Sequence, residues 1–273
     1  MVKFKQINNE VVRPFKGVED MDKRPPRGEA LIPSAFSNIY CCSKKKSGKT
    51  STIAKMLQAF AGPETKVFVF CSTVFIDPTY IALEKYFHRK KIDYYPSTSI
   101  KDDEGHDLLA DILKEEEDVS DGEEDEEKPN IQLLDLDEKK PAERKKKPSK
   151  FKELKYIFVF DDLSNEIRTS ASLKKLLKTN RHLLSKVIIS SQWVNDLEPQ
   201  CINQLDYVFL FKSHNDDKLL EIWKKLDLCI EFELFKEIYQ ACTGDLTKFH
   251  FLYIDRFEQY RMDFNKLIIL SDL

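Results

Sequence analysis

Glycine is scarce in this chain, 7 of 273 residues, and tryptophan is scarcer at 2. So little glycine excludes collagen-like and glycine-linker sequences, and 41% hydrophobic residues exclude a wholly disordered chain. No apolar run approaches the roughly 18 residues that a membrane-spanning helix needs, and residues 1–16 lack the apolar core of a signal peptide. These absences predict no membrane partner and an intracellular protein that is not secreted. The six cysteines (41, 42, 71, 201, 229 and 242) include no CxxC pair, and the five histidines show no ligand spacing. They argue against a disulfide framework or a structural zinc site and read as reduced thiols.

Charge is unevenly spread. The net value of −3 hides a tract, residues 102–127, with 15 acidic residues and one lysine, a net of about −14 that leaves about +11 for the rest. A basic body with an acidic tract fits a polyanion partner and a segment that mimics or screens it; a solvated charged loop fits equally.

Strand-like and helix-like runs alternate along most of the chain. Residues 1–35 are polar, include Arg24-Pro25-Pro26-Arg27, and read as an extended lead-in with little core of its own. Strands are predicted at 38–42, 66–71, 156–160, 186–191, 206–211 and 249–254. Helices are predicted at 51–60, where Ile53, Met56, Leu57 and Phe60 share a face, and at 80–90, 171–184, 219–226 and 232–242. This order predicts one α/β domain over residues 36–273, with a central mostly parallel sheet flanked by helices. The alternation stops at about residues 101–150, acidic first and then basic. That stretch buries too little apolar surface to offset its ordering entropy, so it reads as a disordered insertion with at most a short helix at 108–113. Its basic end, residues 144–150, suits a nuclear-import signal, a DNA-contacting arm or a solvated linker.

Ser43-Lys44-Lys45-Lys46-Ser47-Gly48-Lys49-Thr50 falls between a predicted strand and a predicted helix. It matches the phosphate-binding P-loop, GxxxxGK[ST], with Ser43 in place of the first glycine. Loop and helix N-terminal N–H groups cradle phosphates, Lys49 neutralises the β/γ oxygens, and the Thr50 hydroxyl ligates Mg²⁺. Residues Ser43 through Ser51 are therefore the candidate nucleotide-binding run. A non-glycine residue forced left-handed at position 43 would cost about 1 kcal/mol or more.

A second apolar run ends in Asp161-Asp162. Asp161 has the position of a Mg²⁺-holding carboxylate, and Asp162 can act as general base on an attacking water; taken alone, Asp161 reads as a strand cap. Gln192 ends a third apolar run. In a doubly wound sheet, ligands gather outside the C-terminal strand ends, so Gln192 can stand beside Thr50 and Asp161 and orient a water or sense a γ-phosphate. Arg181 and Arg168 are the candidates for an arginine that stabilises phosphoryl charge across a subunit boundary; a surface salt bridge is the alternative for each.

The set SKKKSGKT, YIFVFDD, NRHLLSKVIISSQ and FLYIDRFEQYRMDF, in that order, resembles the genome-packaging ATPases of the FtsK/HerA superfamily, nearest the poxvirus-type branch of large DNA viruses, virophages and Polinton-like elements. The resemblance covers most of residues 36–265 outside the insertion. It implies a RecA-like P-loop NTPase fold with ATP and Mg²⁺ as cofactors. Lys49, Thr50, Asp161 and Asp162 would take the Walker roles, Gln192 the sensor role, and Arg181 ahead of Arg168 the arginine finger. It further implies ATP hydrolysis coupled to moving double-stranded DNA into a capsid without reading sequence. The chain would work as a ring homo-oligomer against a capsid portal or vertex protein, in the virion or a host-cell viral factory. The rivals are a P-loop nucleoside or nucleotide kinase, and a scaffold that binds nucleotide and DNA without hydrolysis.

Overall fold

A computed structural model describes residues 22–121, 149–212, 214–245 and 247–270. The chain runs β1 (Ser37–Cys42), α1 (Lys49–Phe60), β2 (Lys66–Cys71), α2 (Pro78–Lys90), β3 (Asp93–Ser97), α3 (Leu108–Asp121), β4 (Tyr156–Asp161), α4 (Ser164–Thr169), α5 (Ala171–Thr179), β5 (Ser185–Ser191), α6 (Pro199–Ile202), β6 (Tyr207–Phe211), α7 (Asp216–Leu226), α8 (Phe232–Thr243), β7 (Phe251–Asp255), β8 (Tyr260–Met262) and β9 (Lys266–Leu267). The strands form one sheet in the order β3-β2-β4-β5-β1-β6-β7-β8-β9. The first six in that order are parallel, and β7 to β9 add an antiparallel meander at one side.

Parallel strands covered by helices on both faces are nearly continuous apolar runs, and β1, β4, β5 and β6 are buried throughout. Successive residues feed opposite layers. Tyr40 and Cys42 of β1 join the layer containing Leu173, Leu176 and Phe235, while Ile39 and Cys41 join the one containing Ile53, Leu57 and Phe60. The neighbouring cysteines thus lie on opposite sides of the sheet, and burial pushes the Cys42 thiol up to about 11.

Three sequence expectations change. Residues 101–121 are not disordered: α3 runs to Asp121, and Leu109 and Leu113 are buried in the core. Asp107 accepts a hydrogen bond from Ser172 Oγ at 2.7 Å, tying the start of α3 to α5. The apolar set Leu108, Leu109, Ile112 and Leu113 gives that helix one packing face, which outweighs the acidic average of the stretch. The rest of the predicted insertion, 122–148, lies outside the described residues. In the lead-in, residues 1–21 lie outside them too, but Ile32 is fully buried, so the stretch before β1 does contribute core. Finally α5 ends at Thr179, because the chain turns sharply through Leu184 (φ 47°) to enter β5.

Candidate functional site

The strand order decides which side chains meet. Because β5 lies between β1 and β4, their C-terminal ends bring the 43–50 loop, Gln192 and the Asp161–Asp162 pair to one edge of the sheet. The loop leaves β1 and feeds directly into α1, whose N-cap is Gly48 in the left-handed region at φ 97°. Lys46 is also left-handed, at φ 62°. Ser43, where strain was expected, does not have a positive φ. It is fully buried and works as a brace instead. Its N–H donates to Ser191 O at 3.1 Å, and its hydroxyl bonds the Ser47 hydroxyl and Lys44 O. Lys44, Lys45, Lys46 and Ser51 are exposed and Thr50 is half-buried at the start of α1. Lys49 is largely buried, its ammonium donating to Ser191 O at 3.2 Å.

Across the gap, Asp161 is buried at the end of β4, and Tyr80 Oη donates to its Oδ2 at 2.8 Å. Burial pushes the Asp161 carboxyl up, against the opposing pull of the Tyr80 hydroxyl and the Lys49 ammonium. Asp162 continues the strand ladder, its N–H on Ser190 O at 3.0 Å, and then turns left-handed at φ 56°. Its Oδ1 accepts a hydrogen bond from Gln192 Nε2 at 2.9 Å. The expected base and the expected sensor are thus one hydrogen-bonded unit.

The donor set suits Mg²⁺. Thr50 and Asp161 offer hard oxygens, and a buried carboxylate raised in proton affinity is a group that a cation would relieve. Thr50 and Asp161 are the residues that would hold the ion.

The two arginines separate. Arg181, in the turn between α5 and β5, lies at the opposite edge of the sheet, with Nη2 3.7 Å from Asp206 Oδ1. The fold does not bring it into its own chain's site. Arg168 lies in the last turn of α4, the helix that follows Asp161–Asp162; it is exposed and makes no ion pair among the described residues.

Three neighbours escaped the sequence reading. Tyr80 reaches Asp161 from 81 positions away. Tyr40 Oη, bonded to Ser191 Oγ at 2.7 Å and Trp193 O at 2.9 Å, fixes the tip of β5. His214 Nε2 lies 3.1 Å from Cys42 O at the root of the loop, and burial lowers its pKa. No motif marks these residues, since each contact is made by tertiary packing.

A phosphate loop on the central strand, a glutamine-tipped strand beside it and a carboxylate pair on the next define a P-loop NTPase fold. No known family model matches the chain. Over 106 residues it is 32% identical to uncharacterized protein 075L of Invertebrate iridescent virus 6, a match spanning 38% of this chain and 40% of that protein. In three dimensions it is similar to the genome packaging NTPase B204 from Sulfolobus turreted icosahedral virus 2 in complex with AMP. The TM-score is 0.52 at 15% identity, over 86% of this chain and 100% of that one. The same NTPase in complex with AMPPCP aligns with a TM-score of 0.51 at 14% identity, over 87% and 100%. The chain shares the fold of that genome packaging NTPase.

Proposed function

We propose that the protein is a Mg²⁺-dependent ATPase that couples hydrolysis to the sequence-independent translocation of double-stranded DNA into a viral capsid. The carrying observation is the 2.9 Å hydrogen bond between Gln192 and Asp162 on the strands beside the phosphate loop. A carboxylate positioned by an amide is suited to accept a proton from water while the amide orients it. Loop N–H groups and Lys49 would hold the β- and γ-phosphates, and Asp162 would take the proton of the attacking water. Mg²⁺, when bound, neutralises phosphate charge; Thr50 and Asp161 are its ligands in this reading, with Tyr80 fixing the Asp161 carboxylate.

Further parts of the proposal are a ring homo-oligomer with an arginine acting between subunits, a capsid portal or vertex protein as docking partner, and action in the virion or viral factory. Among the described residues, no helix is long and apolar enough to cross a membrane. The test is the ATPase rate of the full chain with and without double-stranded DNA, with a nucleoside acceptor as a parallel substrate. Stimulation by DNA supports the motor. Phosphorylation of the acceptor replaces it with a kinase, and binding without turnover replaces it with a nucleotide-dependent scaffold.

A further inference from the structure

The loop between α8 and β7 lies against the phosphate loop and brings an aromatic ring there. A methyl group added at Gly48 would stand 3.0 Å from Phe249 Cβ and 3.3 Å from Cγ and Cδ1. The close approach therefore depends on glycine at the residue that also needs φ 97°. Phe249 is nevertheless 63% exposed, an expensive place to leave a large apolar side chain.

Its stem is well anchored. Asp245 accepts hydrogen bonds from Thr247 N–H at 3.0 Å and Thr247 Oγ1 at 2.6 Å, and pairs with Lys248 at 2.9 Å. On the other side His250 Nδ1 lies 2.6 Å from Asp263 Oδ2. The Lys212 ammonium stands 5.0 Å from the centre of the Phe249 ring and donates to Lys248 O at 3.4 Å. An exposed ring beside a phosphate cradle, flanked by a cation, is chemistry that stacks on the flat face of a base.

We infer that Phe249 is the nucleobase platform of this site, with Lys212 beside it, and that it selects purine over pyrimidine nucleotides by stacking while discriminating little between adenine and guanine. The second half follows from the flanking side chains. Lys248 pairs with Asp245 and His250 with Asp263, so each would have to leave a carboxylate to read the edge of a base. The inference rests on the phosphate-loop reading of residues 43–51, and the experiment separates the two.

Binding of ATP, GTP, UTP and inorganic tripolyphosphate to the full chain is measured by calorimetry for wild type, Phe249→Ala, Phe249→Trp and Lys49→Ala. The platform predicts that Phe249→Ala weakens ATP and GTP by about tenfold each, brings them close to UTP and leaves tripolyphosphate unchanged, with Phe249→Trp restoring purine affinity. Lys49→Ala should weaken all four ligands. An unchanged purine-to-pyrimidine ratio in Phe249→Ala overturns the platform, as does an equal loss of tripolyphosphate, which would make Phe249 a mere support for Gly48. Either outcome, with Lys49→Ala still weakening every ligand, leaves the phosphate loop standing. Lys49→Ala without effect on any ligand overturns the loop and the platform together.

Discussion

Asp162 spends backbone strain on its position. A left-handed aspartate costs about 1 kcal/mol or more, and here that conformation accompanies the hydrogen bond to Gln192. Asparagine tolerates the same backbone, so Asp162→Asn removes the carboxylate with little disturbance. It should bind nucleotide normally while turnover falls by about 10² to 10⁴, measured in single-turnover assays. Wild-type turnover in that variant would remove Asp162 from the reaction. Tyr80→Phe tests the other carboxylate. With Asp161 Oδ2 deprived of its donor, the Mg²⁺ concentration giving half-maximal turnover should rise about tenfold or more, with a smaller change in rate at saturating Mg²⁺. An unchanged Mg²⁺ requirement would reduce Tyr80 to a packing residue.

At the scale of elements, the strands that carry the site were legible because they are covered on both faces and so appear as unbroken apolar runs. The P-loop motif and the two strand ends pointed to Lys49, Asp161, Asp162 and Gln192 as neighbours, and the strand order brings them to one edge of the sheet. What was not legible has physical causes. β3 reads Asp-Tyr-Tyr-Pro-Ser, and its proline is acceptable only because the strand is at the sheet's edge. β8 and β9 are three and two residues long, too short to show a period. The continuation of α3 from 113 to Asp121 was lost in the acidic average around it. That error has a testable consequence. Replacing residues 122–148 by a short flexible linker should leave a folded protein, whereas a deletion beginning at residue 101 removes Leu109 and Leu113 from the core. Leu109→Ala alone should cost about 2–5 kcal/mol, read from the denaturant midpoint. A Leu109→Ala variant as stable as wild type would return this segment to the surface.

For the molecule as a whole, the buried Lys186 sets a pH dependence. Its ammonium donates to Ser34 O and lies 4.7 Å from the centre of the Phe60 ring, and burial, opposed by Asp206, lowers its pKa to about 7. The unfolded chain keeps that proton up to about pH 10.4, so stability climbs as pH rises from 7. The buried thiols act in the opposite sense. Burial holds Cys42 up at about 11 and Cys242 at about 12, while unfolded thiols ionise from their ordinary 9.0, so stability falls above that value. Melting temperature should therefore peak at about pH 8 to 9, and Lys186→Met should flatten the climb from pH 7. A wild-type profile flat over that range would contradict the burial of the charge.

The assembly question belongs to the same scale. Arg168 and Arg181 are each changed to Ala and mixed with Lys49→Ala subunits. An arginine that serves a neighbour's site should be partly rescued in mixed rings, because some interfaces pair an intact loop with an intact arginine. If neither mutant loses hydrolysis, a ring with shared sites is the wrong picture.

The start of α3 is tied to the start of α5, and its 14 residues carry the chain about 21 Å along the helix axis. After residues 122–148 the chain resumes ahead of β4, where Arg24 donates to Ser149 O at 3.2 Å and Lys152 N–H to Pro25 O at 3.0 Å. The chain therefore re-enters the sheet at the N-terminal ends of the parallel strands, the end opposite the phosphate loop. That makes the stretch a port for engineering: a fluorescent protein or affinity handle spliced in there should leave nucleotide affinity unaltered.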